Sequence, residues 1–256
     1  MRFSADGASA TLDGTTGVEL ASMLDLPRVD VHVSVSSTLD VAHAVAADAP
    51  NGTLILADEQ TSGRGRHGRR WTSPARTGLW LTVIERPTDA RALDVLALRC
   101  GLYAAEALDA LASAPIGVKW PNDLFVGGRK LAGVLIETRW RGTSPEWVAI
   151  GFGLNVAAPN VDGATGLVAG TTRLGALARL VPALRRAASA SRHLSDDERS
   201  RWQRRDVAVG QRVLSPAEGR ADGISPSGEL LIQRDDGTTS HHRTGSLTFA
   251  KPLACS

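Results

Sequence analysis

The sequence predicts an α/β domain followed by a small antiparallel β-barrel. Three observations carry that prediction. From Val31 to Asp206, strand-like apolar runs alternate with segments whose apolar residues recur at helical spacing. From Val207 to Ala250 the pattern changes to short strands separated by turns such as Ser225-Pro226-Ser227-Gly228 and Asp236-Gly237. Within the first part, glycines alternate with cations directly after an apolar strand, in Gly63-Arg64-Gly65-Arg66-His67-Gly68-Arg69-Arg70-Trp71, which reads as an anion-gripping loop.

Composition sets the outer bounds. A chain of 256 residues can hold one medium domain and a small one, each with a core. Charged residues make up 22% and the net charge is +2, so no chain-wide basic field exists for nucleic acid; the basicity is local, at Arg64 to Arg76. Cys100, inside a predicted helix, and Cys255 support neither a disulfide framework nor a metal cluster and fit a reduced compartment. Met1 to Gly7 lack the apolar core of a signal peptide, and no run is long enough to cross a bilayer. A soluble, cytoplasmic protein without a membrane partner is expected.

The elements follow in order. Residues 1–30 show weak periodicity and are expected to be an extension contributing one short strand or helix. Val31 to Val35 reads as a strand that feeds a helix through Ser36-Ser37-Thr38, with Leu39, Val41, Ala42, Val45 and Ala46 at helical spacing before Pro50. Helix capping is the ordinary role of Ser37 and Thr38 there. Asn51-Gly52 turns into a buried strand, Thr53 to Ala57, and Asp58 to Ser62 deliver the chain to the glycine and arginine loop. Leu79 to Ile84 is the next strand. Leu93, Leu96, Ala97, Cys100, Ala104, Leu108 and Leu111 mark one face of a long amphipathic helix, which places Cys100 in the core.

Val118 to Val126, a Gly127-Gly128 turn and Lys130 to Glu137 then form a strand pair carrying Lys119 and Lys130. Trp147 to Phe152 is a further strand, closed by the glycines of Gly151-Phe152-Gly153-Leu154-Asn155-Val156. A helix with Leu174, Leu177, Leu180, Val181 and Leu184 on one side should break or kink at Pro182, with Arg173, Arg179, Arg185 and Arg186 as a solvated face. Asp196 to Arg205 is a charged helix. Strands at Gln211 to Leu214, Gly219 to Ile224, Leu230 to Arg234 and Ser240 to Arg243 complete the chain.

Gly63, Gly65 and Gly68 satisfy G-x-G-x-x-G, but the dinucleotide fingerprint must open a helix, and Arg69 to Pro74 is a turn-rich run instead. Taken alone, the loop could equally be a solvated basic surface, and Lys119 and Lys130 could each be edge-strand lysines. Taken together, a shared anion accounts for all three, because a lysine in an apolar run must meet solvent or a fixed anion. A nonenzymatic RNA binder would spread its cations along a groove with several aromatics, whereas here they gather at one loop with Trp71. The chain contains no G-x-x-x-x-G-K-[ST], H-E-x-x-H or G-x-S-x-G motif.

Four stretches in order, Gly63 to Trp71, Lys119-Trp120-Pro121-Asn122-Asp123, Lys130-Leu131-Ala132-Gly133 and Gly151 to Val156, closely resemble the biotin protein ligases. The resemblance runs from about Val33 to the end. It implies a mixed-sheet α/β (α+β type) catalytic domain of the biotin/lipoyl ligase type over residues 31–206 and an SH3-like barrel over 207–256. It also implies two half-reactions, in which biotin and ATP give biotinyl-5'-AMP and a lysine of a biotin carboxyl carrier protein then takes the biotinyl group.

By resemblance Ser37, Thr38, Gln60, Gly63 and Gly133 would line the biotin site, while Arg64 and Lys130 would hold the biotin carboxylate and the α-phosphate. Arg66, Arg69, Trp71, Asn122 and Asn155 would bound the adenylate, Lys119 would lie near the phosphates, and Asp123 would meet Mg2+. Two residues depart from the family pattern: Leu39 stands where asparagine is usual and His67 where arginine is usual. Members that double as repressors carry an amino-terminal winged helix, for which residues 1–30 are too few, so no DNA binding is expected. A biotin sensor and a lipoyl-ligase-like enzyme remain alternatives on the same fold, and the protein is expected to be a monomer or homodimer.

Overall fold

The computed structural model describes residues 10–190, 192–251 and 253. The expectations about Met1 to Gly7 and Cys255 fall outside them. The stretch before Val31 supplies more than one short element: a hairpin of β1 (Thr11–Leu12) and β2 (Thr15–Thr16) and a helix, α1 (Gly17–Leu24). Thr16 starts that helix with a capping box, its hydroxyl accepting from the Glu19 N–H while the Glu19 carboxylate accepts from the Thr16 N–H. Leu12, Leu20, Leu24 and Leu26 are buried in the main core.

The chain continues through β3 (Val29–Val35), α2 (Thr38–Val45), β4 (Thr53–Gln60) and β5 (Gly78–Glu85). Next come α3 (Leu96–Leu108), β6 (Gly117–Lys119), β7 (Asp123–Val126), β8 (Arg129–Arg141) and β9 (Ser144–Asn155). These strands form one seven-stranded sheet in the order β3-β4-β5-β9-β8-β7-β6, mixed because β3 and β4 are parallel and the other neighbours antiparallel. Two helices, α4 (Arg173–Ser189) and α5 (Asp196–Arg205), precede β10 (Arg212–Ser215), β11 (Gly219–Ile224), β12 (Leu230–Gln233), β13 (Thr239–His242) and β14 (Thr248–Phe249). That last group is a five-stranded antiparallel sheet in the order β13-β12-β11-β10-β14. Its buried Val213, Ala221, Leu230 and Ile232 join the same apolar cluster as the large sheet.

Side chains alternate between the faces of a strand, and β9 shows the result. Val148, Ile150, Phe152 and Leu154 enter the large core, which α1, α3 and α4 cover, while Ala149, Gly151 and Gly153 face the other way. Among the described helices, α2 covers that other face, over a small cluster of Leu39, Ala42, Ala46, Ile55, Ile84, Trp147 and Ala149. Cys100 is fully buried in the large core, and burial raises its thiol pKa, so it is a packing residue as expected.

The structure corrects further sequence expectations. Val118 to Val126 is two antiparallel strands, β6 and β7, and not one. The strand begun at Thr53 continues to Gln60. The long helix is instead a 3-10 turn (Ala90–Val95), α3, and a second 3-10 turn (Asp109–Leu111). Pro182 does not break α4, which is continuous through it: the proline lies on the exposed side, while Leu180, Val181 and Leu184 pack the helix down. Arg173 and Arg185 are not part of a solvated face either. Arg173 is buried between Asp13 and Asp58, and Arg185 bonds Glu85 at 3.0 Å.

Candidate active site

The thinly covered face of the sheet holds a cleft that gathers most of the residues singled out from sequence. Ser37, Thr38, Gln60, Arg64, Arg66, Arg69, Trp71, Lys119, Asn122, Asp123, Lys130 and Gly133 all line it. Gly63 and Asn155 do not line it. Asn155 is 5% exposed, and its amide donates to the Thr165 carbonyl at 3.1 Å, which makes it a support of the following loop. Gly63 lies just behind the wall, where a Cβ would stand 2.4 Å from the Trp71 carbonyl oxygen, so only glycine allows the arm to close on itself there.

One end of the cleft is neutral and built for hydrogen bonds. Ser37 caps α2, accepting from the Leu39 N–H at 3.3 Å, as its place before an apolar helix dictates. Gln60 is oriented from both sides: its Oε1 accepts from the Thr38 N–H at 2.9 Å and hydroxyl at 3.2 Å, and its Nε2 donates to Ser73 Oγ at 2.8 Å. The buried Thr82 hydroxyl donates to Thr38 at 2.9 Å. Neither Thr82 nor Ser73 was found from sequence, because a lone hydroxyl on a strand or turn carries no signal of its own. Leu39 packs against Gly151, whose hypothetical Cβ would lie 3.0 Å from Leu39 Cδ1, so this departure makes that wall apolar.

The other end is cationic. The stretch Gly63 to Trp71 is a hairpin arm folded over the sheet, with the Gly65 N–H donating to the Arg69 carbonyl at 2.8 Å and the Trp71 N–H to the Gly63 carbonyl at 2.9 Å. Its tip is a 3-10 turn (Arg66–Gly68) with His67 and Gly68 at positive φ, and extended backbone follows at Arg69, so no dinucleotide-type helix opens there. Trp71 lies across the glycines of the sheet: a Cβ on Gly153 would come within 2.6 Å of its Nε1, and one on Gly133 within 3.3 Å of its ring. Lys130 Nζ sits 5.1 Å from the Trp71 ring and 2.7 Å from Asp123 Oδ1.

Lys119 places its ammonium between the rings of Phe125, at 5.4 Å, and Phe249, at 5.0 Å. Burial lowers its pKa, Asp123 opposes that shift, and Lys130 and Arg69 add to it. The tip arginines reach the loop between β13 and β14, Arg66 donating to the Gly245 carbonyl at 3.2 Å and Arg69 to Ser246 Oγ at 3.2 Å. Arg66 also approaches Asn122 Oδ1 at 3.4 Å, and Asn122 donates to the Val134 carbonyl at 2.7 Å. Arg64 turns away from this group, with NH2 3.2 Å from Asp40 and 3.1 Å from Glu137. Phe249, Ser246, Asp40 and Glu137 escaped the sequence reading; only Glu137 had a signal, as the residue after Gly133 and Leu135 on one face of a strand.

Such a cleft suits an elongated molecule with an uncharged polar head and an anionic far end. Comparison with known proteins gives the class. The model of the Biotin/lipoate A/B protein ligase family matches residues 32–155. Over 211 residues the chain is 34% identical to the biotin--[acetyl-CoA-carboxylase] ligase of Mycobacterium tuberculosis, covering 77% of each. It is 38% identical over 124 residues to the bifunctional ligase/repressor BirA of Bacillus spizizenii, covering 48% of this chain but only 38% of that longer protein. The crystal structure of the Leishmania major biotin protein ligase in complex with biotinyl-5-AMP aligns with a TM-score of 0.60 at 27% identity, over 84% of this chain and 98% of that one. The chain belongs to the biotin/lipoate ligase family. Among the described residues no helix is long and apolar enough to cross a membrane.

Proposed function

We propose that this chain is a biotin protein ligase, which uses ATP to join biotin to a lysine of a biotin carboxyl carrier protein by way of biotinyl-5'-AMP. The observation that carries this reading is the convergence of Lys119, Lys130, Arg66 and Arg69 from separate segments on one cleft whose opposite end, at Ser37, Thr38 and Gln60, is neutral and hydrogen-bonding. The names of the relatives support it.

In the first half-reaction a carboxylate oxygen of biotin bonds to the α-phosphorus of ATP, the bond to the bridging oxygen breaks, and pyrophosphate leaves. Two anions must approach each other, so a preorganised positive field lowers the barrier. Lys130, held by Asp123 and the Trp71 ring, serves the carboxylate and the α-phosphate. Lys119, Arg66 and Arg69 serve the phosphates, and Trp71 with Asn122 bounds the nucleoside. In the second half-reaction the amine nitrogen of the carrier lysine bonds to the activated carbonyl carbon, the bond to AMP breaks, and the amine proton goes to solvent. Asp123 is the one carboxylate among the described lining residues. It is already paired with Lys130, and no cluster of metal-ligating side chains is found among the described residues, so Asp123 alone would meet a magnesium ion, which when bound would shield phosphate charge.

Leu12, Leu20, Leu24 and Leu26 are anchored in the main core, which supports a structural and not a DNA-reading role for that segment. The buried, unpaired Cys100 supports a cytoplasmic location. The test is incorporation of labelled biotin into a carboxyl carrier domain with ATP and magnesium, beside Lys130→Ala and beside labelled lipoate. Biotin transfer that collapses in Lys130→Ala is expected; transfer of lipoate alone, or of neither, overturns the reading.

A further inference from the structure

Arg64 carries the most specific sequence expectation and sits in the least expected company. Its guanidinium spans two carboxylates from different elements, Asp40 on α2 at 3.2 Å and Glu137 on β8 at 3.1 Å. Each carboxylate is itself held. Ser36 Oγ donates to Asp40 Oδ2 at 2.7 Å, and His43 Nε2 lies 2.5 Å from Glu137 Oε2 with its ring edge-on to Trp147 at 4.9 Å. Gly133 and Leu135 line the cleft, and Glu137 is the next residue on that face of β8, so its carboxylate stands at the cleft's outer end.

We propose that Glu137 is a positioning residue: with Asp40 it clamps Arg64 and thereby holds the arm Gly63 to Trp71 across the cleft. The arm is internally bonded between Gly63 and Trp71 and between Gly65 and Arg69, so fixing Arg64 at its base fixes the Trp71 ring over Gly133 and Gly153. Arg66 and Arg69 tie the tip to Gly245 and Ser246 on the other side. Arg64 then acts as a strut, and the charge of the reacting anions falls to Lys130, Lys119, Arg66 and Arg69. A guanidinium already shared by two anchored carboxylates gains little by exchanging them for one substrate carboxylate. The catalytic consequence rests on the ligase reading; the clamp itself does not.

The test is a double-mutant cycle of Glu137→Gln, Arg64→Gln and both together, with Glu137→Asp as the charge-retaining variant. Two readouts are taken on the intact protein: the rate of tryptic cleavage after Arg66, Arg69 and Arg70, and the KM for biotin and kcat of biotin transfer. A strut predicts that the double variant behaves like Arg64→Gln, since both lose the whole clamp, and that Glu137→Gln, which keeps the Asp40 contact, shifts in the same direction by no more. Arg64→Gln is cleaved faster and shows a KM for biotin raised about fivefold, the size expected of a partly exposed charged pair, while kcat is nearly kept. Glu137→Asp recovers part of both. If Glu137→Gln matches the native protein in cleavage and KM while Arg64→Gln loses biotin binding, Arg64 contacts the substrate directly and the proposal fails. Additive effects of the two changes overturn it as well. A native protein that transfers no biotin would overturn the ligase reading alone, since the cleavage cycle still decides the clamp.

Discussion

The two faces of the seven-stranded sheet are written into alternate residues of the same strands, yet they do opposite work. On one face Val148, Ile150, Phe152 and Leu154 of β9 meet three helices in a continuous apolar core. On the other, Ala149, Gly151 and Gly153 leave room for Leu39 and Trp71, and a cleft stays open beneath a single short helix and an arm. The apolar packing is concentrated on the covered face and the proposed chemistry on the thinly covered one. The lesson is that glycine in these strands removes volume where a ligand must lie, at some loss of strand propensity.

Substitutions on the two faces should separate folding from activity. The largest effect is expected from Ile150→Ala, which empties a fully buried site in the large core and should cost about 2–5 kcal/mol in urea unfolding, with the folded fraction keeping its specific activity. Lys130→Ala should leave the unfolding curve close to native and lower the rate of adenylate formation by about 100-fold or more, as loss of a preorganised charge does. Gly153→Ala pushes a methyl toward Trp71 and should raise the KM for ATP by about tenfold to a hundredfold, again with little change in unfolding.

The pH responses should divide the same way. Near the covered face, burial would raise the Glu198 pKa, but Arg99 at 2.6 Å, the Ser195 N–H and the Tyr103 hydroxyl win and bring it from 4.5 to about 2. A depressed carboxyl pKa stabilises the fold above its unfolded value, so stability should fall as pH drops from about 4.5 toward about 2, and Glu198→Gln should flatten that limb in acid unfolding. In the cleft, burial lowers the Lys119 pKa, so the cation needed for phosphates is lost earlier on the alkaline side than for an ordinary lysine. The KM for ATP should therefore rise with alkaline pH, and Lys119→Arg should move that rise upward. This last effect is the smallest.

Much of the covered face was legible in the sequence, because apolar periodicity records packing. The helix Asp196 to Arg205 has the expected ends, set by a Ser195 capping box and a charge gradient that suits its dipole. The cleft was legible as four motifs but not as a geometry. Nothing near Arg173 announces Asp13 or Asp58, which lie 160 and 115 positions away, so a residue read as solvated turned out to be buried. Phe249 reached Lys119, and Ser246 reached Arg69, only through tertiary packing. Pro182 did not end the helix for a related reason: the rule against proline within a helix is local, whereas Leu180, Val181 and Leu184 anchor α4 in the core on either side of it.

Because β9 serves both faces at a period of two, its alignment with β5 and β8 is locked twice over. A slip of one position would carry Ile150 and Phe152 into the cleft and Gly151 and Gly153 into the core, filling the one and hollowing the other at a stroke. Deletions and insertions along these strands are therefore excluded in a way that substitutions are not. Changes of length should be tolerated at the exposed hairpin end around Gly142, whereas the sheet between Ala149 and Leu154 has to keep its frame.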